Sequence, residues 1–239
     1  MNLDSKQVEA ANAQMQRLAA LGFMLAGVCH EVSNPLAAVH SMLQILQSKR
    51  GVSPETMEKG LASMSANIAR VLEITRKLGD FSRVGAEPPA PMRVDEAMDE
   101  AVSLLRQSAC GAGVRVDYRA MPEAFVLARA GELRQVLSNI LLNAAQAMGG
   151  AGVIDAQADL AADGRVVLSI HDSGPGIAGD CLPRLFEPFF TTKAPGEGIG
   201  LGLAISYEIV HELGGTIRAF NHPQGGACFE LTLPAASNP

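Results

Sequence analysis

Gly27-Val28-Cys29-His30-Glu31-Val32-Ser33-Asn34-Pro35-Leu36 lies inside a run whose apolar residues recur at steps of three or four: Leu18, Leu21, Leu25, Val28, Val32, Leu36, Val39, Leu43 and Leu46. That spacing predicts one long helix with a single apolar stripe. Lys49-Arg50-Gly51 carries the signals of its end, cations in the last turn and a glycine just past it. Ser53-Pro54 then opens a second helix, serine as cap and proline at the first position. Its stripe runs Met57, Leu61, Met64, Ile68, Val71, Thr75 and Leu78. Two long helices on a short loop make a hairpin, which is too thin to enclose a core. Two copies packed as a four-helix bundle would close it, so a homodimer is expected, with docking of the stripes on the rest of the chain as the alternative.

Within this hairpin His30 falls between the stripe positions Val28 and Val32 and is expected to face away from the packed seam. Glu31 is its neighbour, and Asn34 lies one turn later on the same face. A neutral imidazole is a nucleophile near neutral pH, and a carboxylate on one ring nitrogen leaves the lone pair of the other available. Pro35 removes a helical hydrogen bond and is expected to bend the helix just past His30. His40 reads as an ordinary solvated residue.

Around Val84 to Pro91 the composition turns to glycine and proline, and a boundary is placed there: residues 1–84 form the helical module, 85–92 a linker, and 93–239 a second module. Typical domain sizes agree with two modules in 239 residues. Beyond the linker the pattern predicts helices over 95–107, 131–148 and 203–213. Strands are predicted over 114–118, 125–128, 153–161, 165–170, 216–220 and 228–233. That mixed order indicates an α+β sandwich, a mostly antiparallel sheet covered by helices.

The net charge is −6, with nine Lys and Arg against seven Asp and Glu in residues 1–84 and 10 against 18 in the remainder. This argues against a nucleic-acid partner. Cys29, Cys110, Cys181 and Cys228 show no metal-site spacing and read as small packing residues in a reducing, cytoplasmic setting. No apolar run approaches the roughly 18 residues of a membrane span, so no membrane contact is expected. Any sensor segment would lie outside these residues.

The chemistry of the second module is carried by four strings. In Leu133-Arg134-Gln135-Val136-Leu137-Ser138-Asn139-Ile140-Leu141-Leu142-Asn143-Ala144, Asn139 and Asn143 stand one helical turn apart and can offer amide oxygens to a hard cation and amide hydrogens to phosphate. Asp172-Ser173-Gly174-Pro175-Gly176-Ile177 ends a strand with a carboxylate and a glycine-bearing turn that lets backbone approach a planar ring. Leu185-Phe186-Glu187-Pro188-Phe189-Phe190-Thr191-Thr192-Lys193 crowds three phenylalanines into five positions, either as a local staple or as the hinge of a lid. Gly196-Glu197-Gly198-Ile199-Gly200-Leu201-Gly202-Leu203 leads into a helix N-terminus, an arrangement suited to anions.

Together these strings resemble the histidine kinases, whose nucleotide domain belongs to the ATPase group containing gyrase B, Hsp90 and MutL. The HEVSNPL string resembles the phosphoacceptor box of nitrogen-regulatory and related sensor kinases. The resemblance implies a two-component kinase core with ATP and Mg²⁺ as cofactors. It implies that His30 is autophosphorylated with Glu31 assisting as base, and that the phosphoryl group passes to an aspartate on a response regulator. Asn34 matches the position that orients water when the regulator is dephosphorylated. The resemblance also implies Asn143 as main Mg²⁺ ligand with Asn139 helping, and Asp172 on the adenine amino group. Gly174, Gly176 and Ile177 would lie along the base, Phe189, Thr191, Thr192 and Lys193 in the lid. Gly198, Gly200, Leu201, Gly202 and Leu203 would form the phosphate loop. Relatives often carry Asp where this chain has Arg129. A non-catalytic phosphotransfer or scaffold dimer is the alternative expectation.

Overall fold

A computed structural model describes residues 29, 31–47, 53–83, 89–119, 121, 124–193, 198 and 200–237. His30, the stretch before Cys29, Lys49-Arg50-Gly51, Val84 to Pro88, Gly196-Glu197 and Ile199 lie outside the described residues. The chain divides chiefly at Ser82 and Arg83 into two compact units.

The first unit is built on helices α1, residues 31–47, and α2, Pro54–Arg83. The expected cap is present: the Thr56 N–H donates to Ser53 Oγ at 3.2 Å, and Pro54 starts α2 where a missing N–H costs nothing. Helix α1 continues through Pro35, whose ring is buried. A side-chain carbon added at Gly60 of α2 would stand 2.9 Å from Met42 Sδ of α1, so the glycine allows close approach. Farther along, Arg70 of α2 donates to Glu31 of α1 at 2.8 Å. An earlier position in α1 thus meets a later one in α2, and the helices run antiparallel. Stripe residues Leu36, Leu43, Met57, Leu61 and Ile68 stay exposed within one chain, and Met64 is buried.

The second unit contains β1 (Ala90–Arg93), α3 (Val94–Gln107), β2 (Gly113–Arg119), β3 (Phe125–Ala128), α4 (Ala130–Ala147), β4 (Ala151–Leu160) and β5 (Arg165–Asp172). A 3-10 turn at Leu182–Arg184, α5 (Gly202–Glu212), β6 (Thr216–Asn221) and β7 (Ala227–Pro234) complete it. Five strands form one sheet in the order β2-β4-β5-β7-β6. Three of its pairings are antiparallel, and only β2 beside β4 is parallel. The expected mostly antiparallel sheet covered by helices is therefore the observed one.

Strand β1 lies partly within the stretch expected as linker, whose end is shortened: Ala90 to Arg93 pair antiparallel with Ala128 to Phe125. Pro91 conceals the strand in the sequence because it lacks an N–H. It is tolerated because β1 is paired on one side alone, with β3.

Helix α4 is central, packing on α3, α5, β4 and β5. Its buried Leu133, Leu137, Ile140 and Leu141 meet an inner sheet face supplied by Ile154, Leu168, Ile170 and Leu231. Burial along β5 alternates with period two, and the inward phase reads Val166, Leu168, Ile170, Asp172. A carboxylate thus takes the last core-facing position of a central strand. All four cysteines are free thiols. Cys228 is buried as expected, whereas Cys29 is exposed in one chain.

Candidate nucleotide and phosphoacceptor site

In the first unit Asn34 is exposed on α1. Glu31 is half-buried and its carboxylate is engaged by Arg70, which no local pattern singles out among the charged residues of α2. His40, taken as a solvated residue, is exposed and its Nε2 lies 3.1 Å from Gln44 Nε2.

In the second unit the candidate site gathers at the ends of β5, α4 and α5. Asp172 is buried, and its Oδ1 accepts the N–H of Gly174 at 2.8 Å and of Ala227 at 3.2 Å. Among the described residues nothing donates to Oδ2. Carboxylate burial is costly unless hydrogen bonds compensate, and here one oxygen is satisfied by the scaffold. The other is left to accept a donor such as an exocyclic amino group.

The loop after Asp172 is fastened on two sides. Ser173 donates its N–H to Val153 O at 3.0 Å and its Oγ accepts the Val153 N–H at 3.0 Å, which ties the loop to β4. Ile177 is held by Asn221 at the end of β6. Gly176 adopts φ +80, a left-handed conformation that favours glycine.

Asn139 and Asn143 stand one turn apart on α4, both half-buried. The Asn139 amide is already used: Nδ2 donates to Gly202 O at 2.9 Å and Ser206 Oγ at 3.2 Å. Ser206 Oγ in turn donates to Gly202 O at 2.9 Å. Asn139 therefore fastens α4 to the first turn of α5, a task the regular spacing with Asn143 did not suggest. No side chain caps α5 and no acidic residue lies in its first turn. Its leading N–H groups are thus suited to an anion.

The segment before α5 is pinned at its base. Phe189 has φ +65, and its N–H donates to Gly200 O at 2.9 Å. Phe186 packs against Tyr207 with ring centroids 5.6 Å apart, and the Arg184 guanidinium lies 4.6 Å from the Phe190 ring centroid. Two of the three clustered rings therefore pack locally, and the third marks a strained turn. Thr191 and Thr192 are exposed, Gly200, Gly202 and Leu203 are half-buried and Leu201 is buried, whereas Lys193 and Gly198 group with the first unit and are not brought to this site.

These donor sets fit the expected cofactors. A buried carboxylate with one oxygen unused suits an adenine amino group, and an uncapped helix after a glycine turn suits phosphate. The described residues contain no group of three or more His, Cys, Asp or Glu able to hold a metal. The half-buried amide oxygen of Asn143 is of the hard-donor class that would suit magnesium.

The model of the His Kinase A (phospho-acceptor) domain matches residues 20–87, and that of the histidine kinase-, DNA gyrase B- and HSP90-like ATPase matches residues 128–237. The chain belongs to the histidine kinase family. The sensor histidine kinase ZraS of Klebsiella oxytoca is 34% identical over 96% of this chain and 49% of its own length. The C4-dicarboxylate transport sensor protein DctB of Rhizobium meliloti is 37% identical over 93% of this chain and 36% of its own. The chain thus spans less than half the length of these curated relatives. Among solved structures, histidine kinase ThkA in complex with response regulator protein TrrA superposes with a TM-score of 0.74 at 25% identity, covering 96% of this chain and 66% of that one. ShkA in complex with AMPPNP gives 0.63 at 29% identity, covering 90% and 46%.

Within the histidine kinase family, the chain departs from the common pattern at Arg129. Its guanidinium spans both carboxylate oxygens of the buried Glu132 at 2.9 and 3.0 Å, which fixes the start of α4. Among the described residues no helix is long and apolar enough to cross a membrane.

Proposed function

We propose that the chain is the catalytic core of a two-component histidine kinase, in which His30 accepts the γ-phosphoryl group of Mg-ATP and passes it to an aspartate of a response regulator. The observation that carries the nucleotide half is the buried Asp172, whose Oδ1 is satisfied by two backbone N–H groups and whose Oδ2 takes no donor among the described residues. Mg-ATP, when bound, supplies the transferable phosphoryl group and a cation that neutralises its charge.

The residues of the chain do the positioning. Asp172, Gly174, Gly176 and Ile177 orient the base, and Asn143 offers its amide oxygen to magnesium, with Asn139 holding the α5 turn beside it. Phe189, Thr191, Thr192 and Lys193 belong to the lid. Gly198, Gly200, Leu201, Gly202 and Leu203 present backbone N–H groups to phosphate. A ring nitrogen of neutral His30 forms the new N–P bond as the bond to the leaving oxygen breaks, and Glu31 takes the proton from the other nitrogen.

Residues 1–84 serve as the dimerisation and phosphotransfer domain and residues 93–239, with β1 added at their start, as the ATP-binding domain. The exposed apolar stripe of α1 and α2 supports a homodimer, since pairing two hairpins would bury it. The AMPPNP in the ShkA complex and the regulator in the ThkA complex support the two ligand classes.

The test is to incubate the chain with γ-labelled Mg-ATP, follow acid-labile, alkali-stable phosphate on the protein, and then add a receiver domain. The expected result is labelling followed by transfer. Nucleotide binding without any labelling would leave the scaffold alternative in place of the kinase.

A second activity, dephosphorylation of the regulator, is favoured by the exposure of Asn34 on α1. Asn34→Ala is expected to slow loss of phosphate from the labelled receiver while leaving autophosphorylation in place. Equal rates for both proteins would remove this second activity.

A further inference from the structure

Asn221 ends β6, an edge strand of the sheet, and lies outside every string that points to the nucleotide. Its side chain nevertheless grips the end of the loop 173–177 as a strand neighbour would. Asn221 Oδ1 accepts the Ile177 N–H at 2.7 Å, and Asn221 Nδ2 donates to Ile177 O at 2.7 Å. Both backbone groups of one loop residue are thus satisfied by a single amide, which suits the task because it carries a donor and an acceptor side by side.

The loop makes room for this grip. A side-chain carbon at Gly176 would stand 2.7 Å from Asn221 Oδ1, so the glycine before Ile177 is needed for the amide to reach. The turn that follows Asn221 presses on the same region. A side-chain carbon at Gly226 would fall 1.7 Å from the Asp172 carbonyl oxygen, and the Ala227 N–H bonds to Asp172 Oδ1. On the same turn His171 Nε2 lies 2.8 Å from Gly225 O, and the His171 and His222 rings lie 4.1 Å apart. The β6–β7 turn, Asp172 and the loop 173–177 are therefore joined by side-chain and backbone bonds from both directions.

We propose that Asn221 is a positioning residue for the base-binding loop, fixing the distance between Ile177 and the Asp172 carboxylate and thereby the selection of adenine. This role rests on the nucleotide reading of Asp172 given above. Asn221 itself touches no ligand. It acts by holding the Ile177 backbone, so its loss loosens recognition of the base and leaves contacts to the phosphates in place.

The test uses the full chain and competition of ADP and GDP, each with Mg²⁺, against a fluorescent ADP analogue. It compares the unsubstituted protein, Asn221→Ala, Asn221→Asp and Gln224→Ala, the last being an exposed residue of the same turn. Asn221→Ala is expected to weaken ADP about tenfold and to shrink the preference for ADP over GDP by a similar factor. Asn221→Asp keeps the volume and the acceptor but sets a carboxylate oxygen against Ile177 O, and is expected to lose at least as much. Gln224→Ala should behave as the unsubstituted chain.

Unchanged ADP affinity in both Asn221 variants, or an equal loss for ADP and GDP, overturns the role, because a general loosening of the domain does not discriminate between bases. Failure of the unsubstituted chain to bind ADP overturns the nucleotide reading itself, and this role with it.

Discussion

The backbone N–H of Phe189 donates to the carbonyl of Gly200 at 2.9 Å, joining the two ends of the segment that precedes α5. Both residues adopt left-handed backbone, φ +65 at Phe189 and φ +70 at Gly200. The glycine is needed, since a side-chain carbon there would stand 2.5 Å from the Phe189 carbonyl carbon and 2.6 Å from Phe190 O. The phenylalanine is strained, since a left-handed residue other than glycine costs about 1–2 kcal/mol.

Gly200→Ala should therefore break the turn that joins the two ends of the segment before α5. Nucleotide affinity is expected to fall by about tenfold or more by calorimetry, with the helical unit unaffected. Phe189→Ala and Phe189→Gly both remove the ring and differ only in backbone cost, so the glycine variant should be the more stable by about 1 kcal/mol in urea unfolding. Equal stability would mean that the turn relaxes once the ring is gone.

Asp172→Asn separates fold from recognition. The amide oxygen can keep the two N–H donors of Gly174 and Ala227 while the amide nitrogen replaces the acceptor that faces the base. The expected outcome is a melting temperature close to that of the unsubstituted chain with ADP binding lost. Retained binding would remove Asp172 from the base site.

Asn139→Asp distinguishes a structural amide from a metal ligand. A magnesium ligand tolerates a carboxylate, but a carboxylate cannot donate to Gly202 O and Ser206 Oγ. The variant is expected to lose about 1–3 kcal/mol of stability without nucleotide present. An unaltered unfolding curve would indicate that the ligand role dominates.

Tyr118 gives an alkaline signature. Its hydroxyl donates to Asp95 Oδ1 at 2.5 Å, and burial, followed by that bond and the charges of Asp95 and Asp99, pushes its ionisation well above the ordinary value of 10.0. Below pH 10 the phenol is neutral folded and unfolded, and its contribution is intact. As pH rises from there toward the folded value, only the unfolded chain gains by ionising, and stability falls. Between about pH 8 and about pH 11 the unsubstituted chain should lose more stability than Tyr118→Phe, measured by urea unfolding. Parallel losses would contradict the assignment.

Much of this was legible because periodicity carries it. Val166, Leu168, Ile170 and Asp172 share one phase of a strand, so the sequence itself puts a carboxylate in the core-facing register. Ser53-Pro54 announces the start of α2, and the cap is found. What escaped depends on contacts between distant residues. Alternation shows which face of β2 is inward but not that β4 lies parallel beside it. Pro91 argued for a linker where an edge pairing tolerates it. Asn221 and Arg70 belong to none of the strings read from the sequence, and Asn139 stood there as a twin of Asn143. Their partners Ile177, Glu31 and Gly202 lie 44, 39 and 63 positions away, beyond any local pattern.

The central claim is that phosphate from ATP arrives on His30, and site-resolved labelling tests it most directly. The chain, His30→Ala and Asn143→Ala are each incubated with γ-labelled Mg-ATP, and acid-labile, alkali-stable label is measured and mapped. The account predicts label on His30 in the unsubstituted chain. It predicts none in His30→Ala, which still binds ADP, and little in Asn143→Ala. Label of undiminished extent in His30→Ala would contradict it.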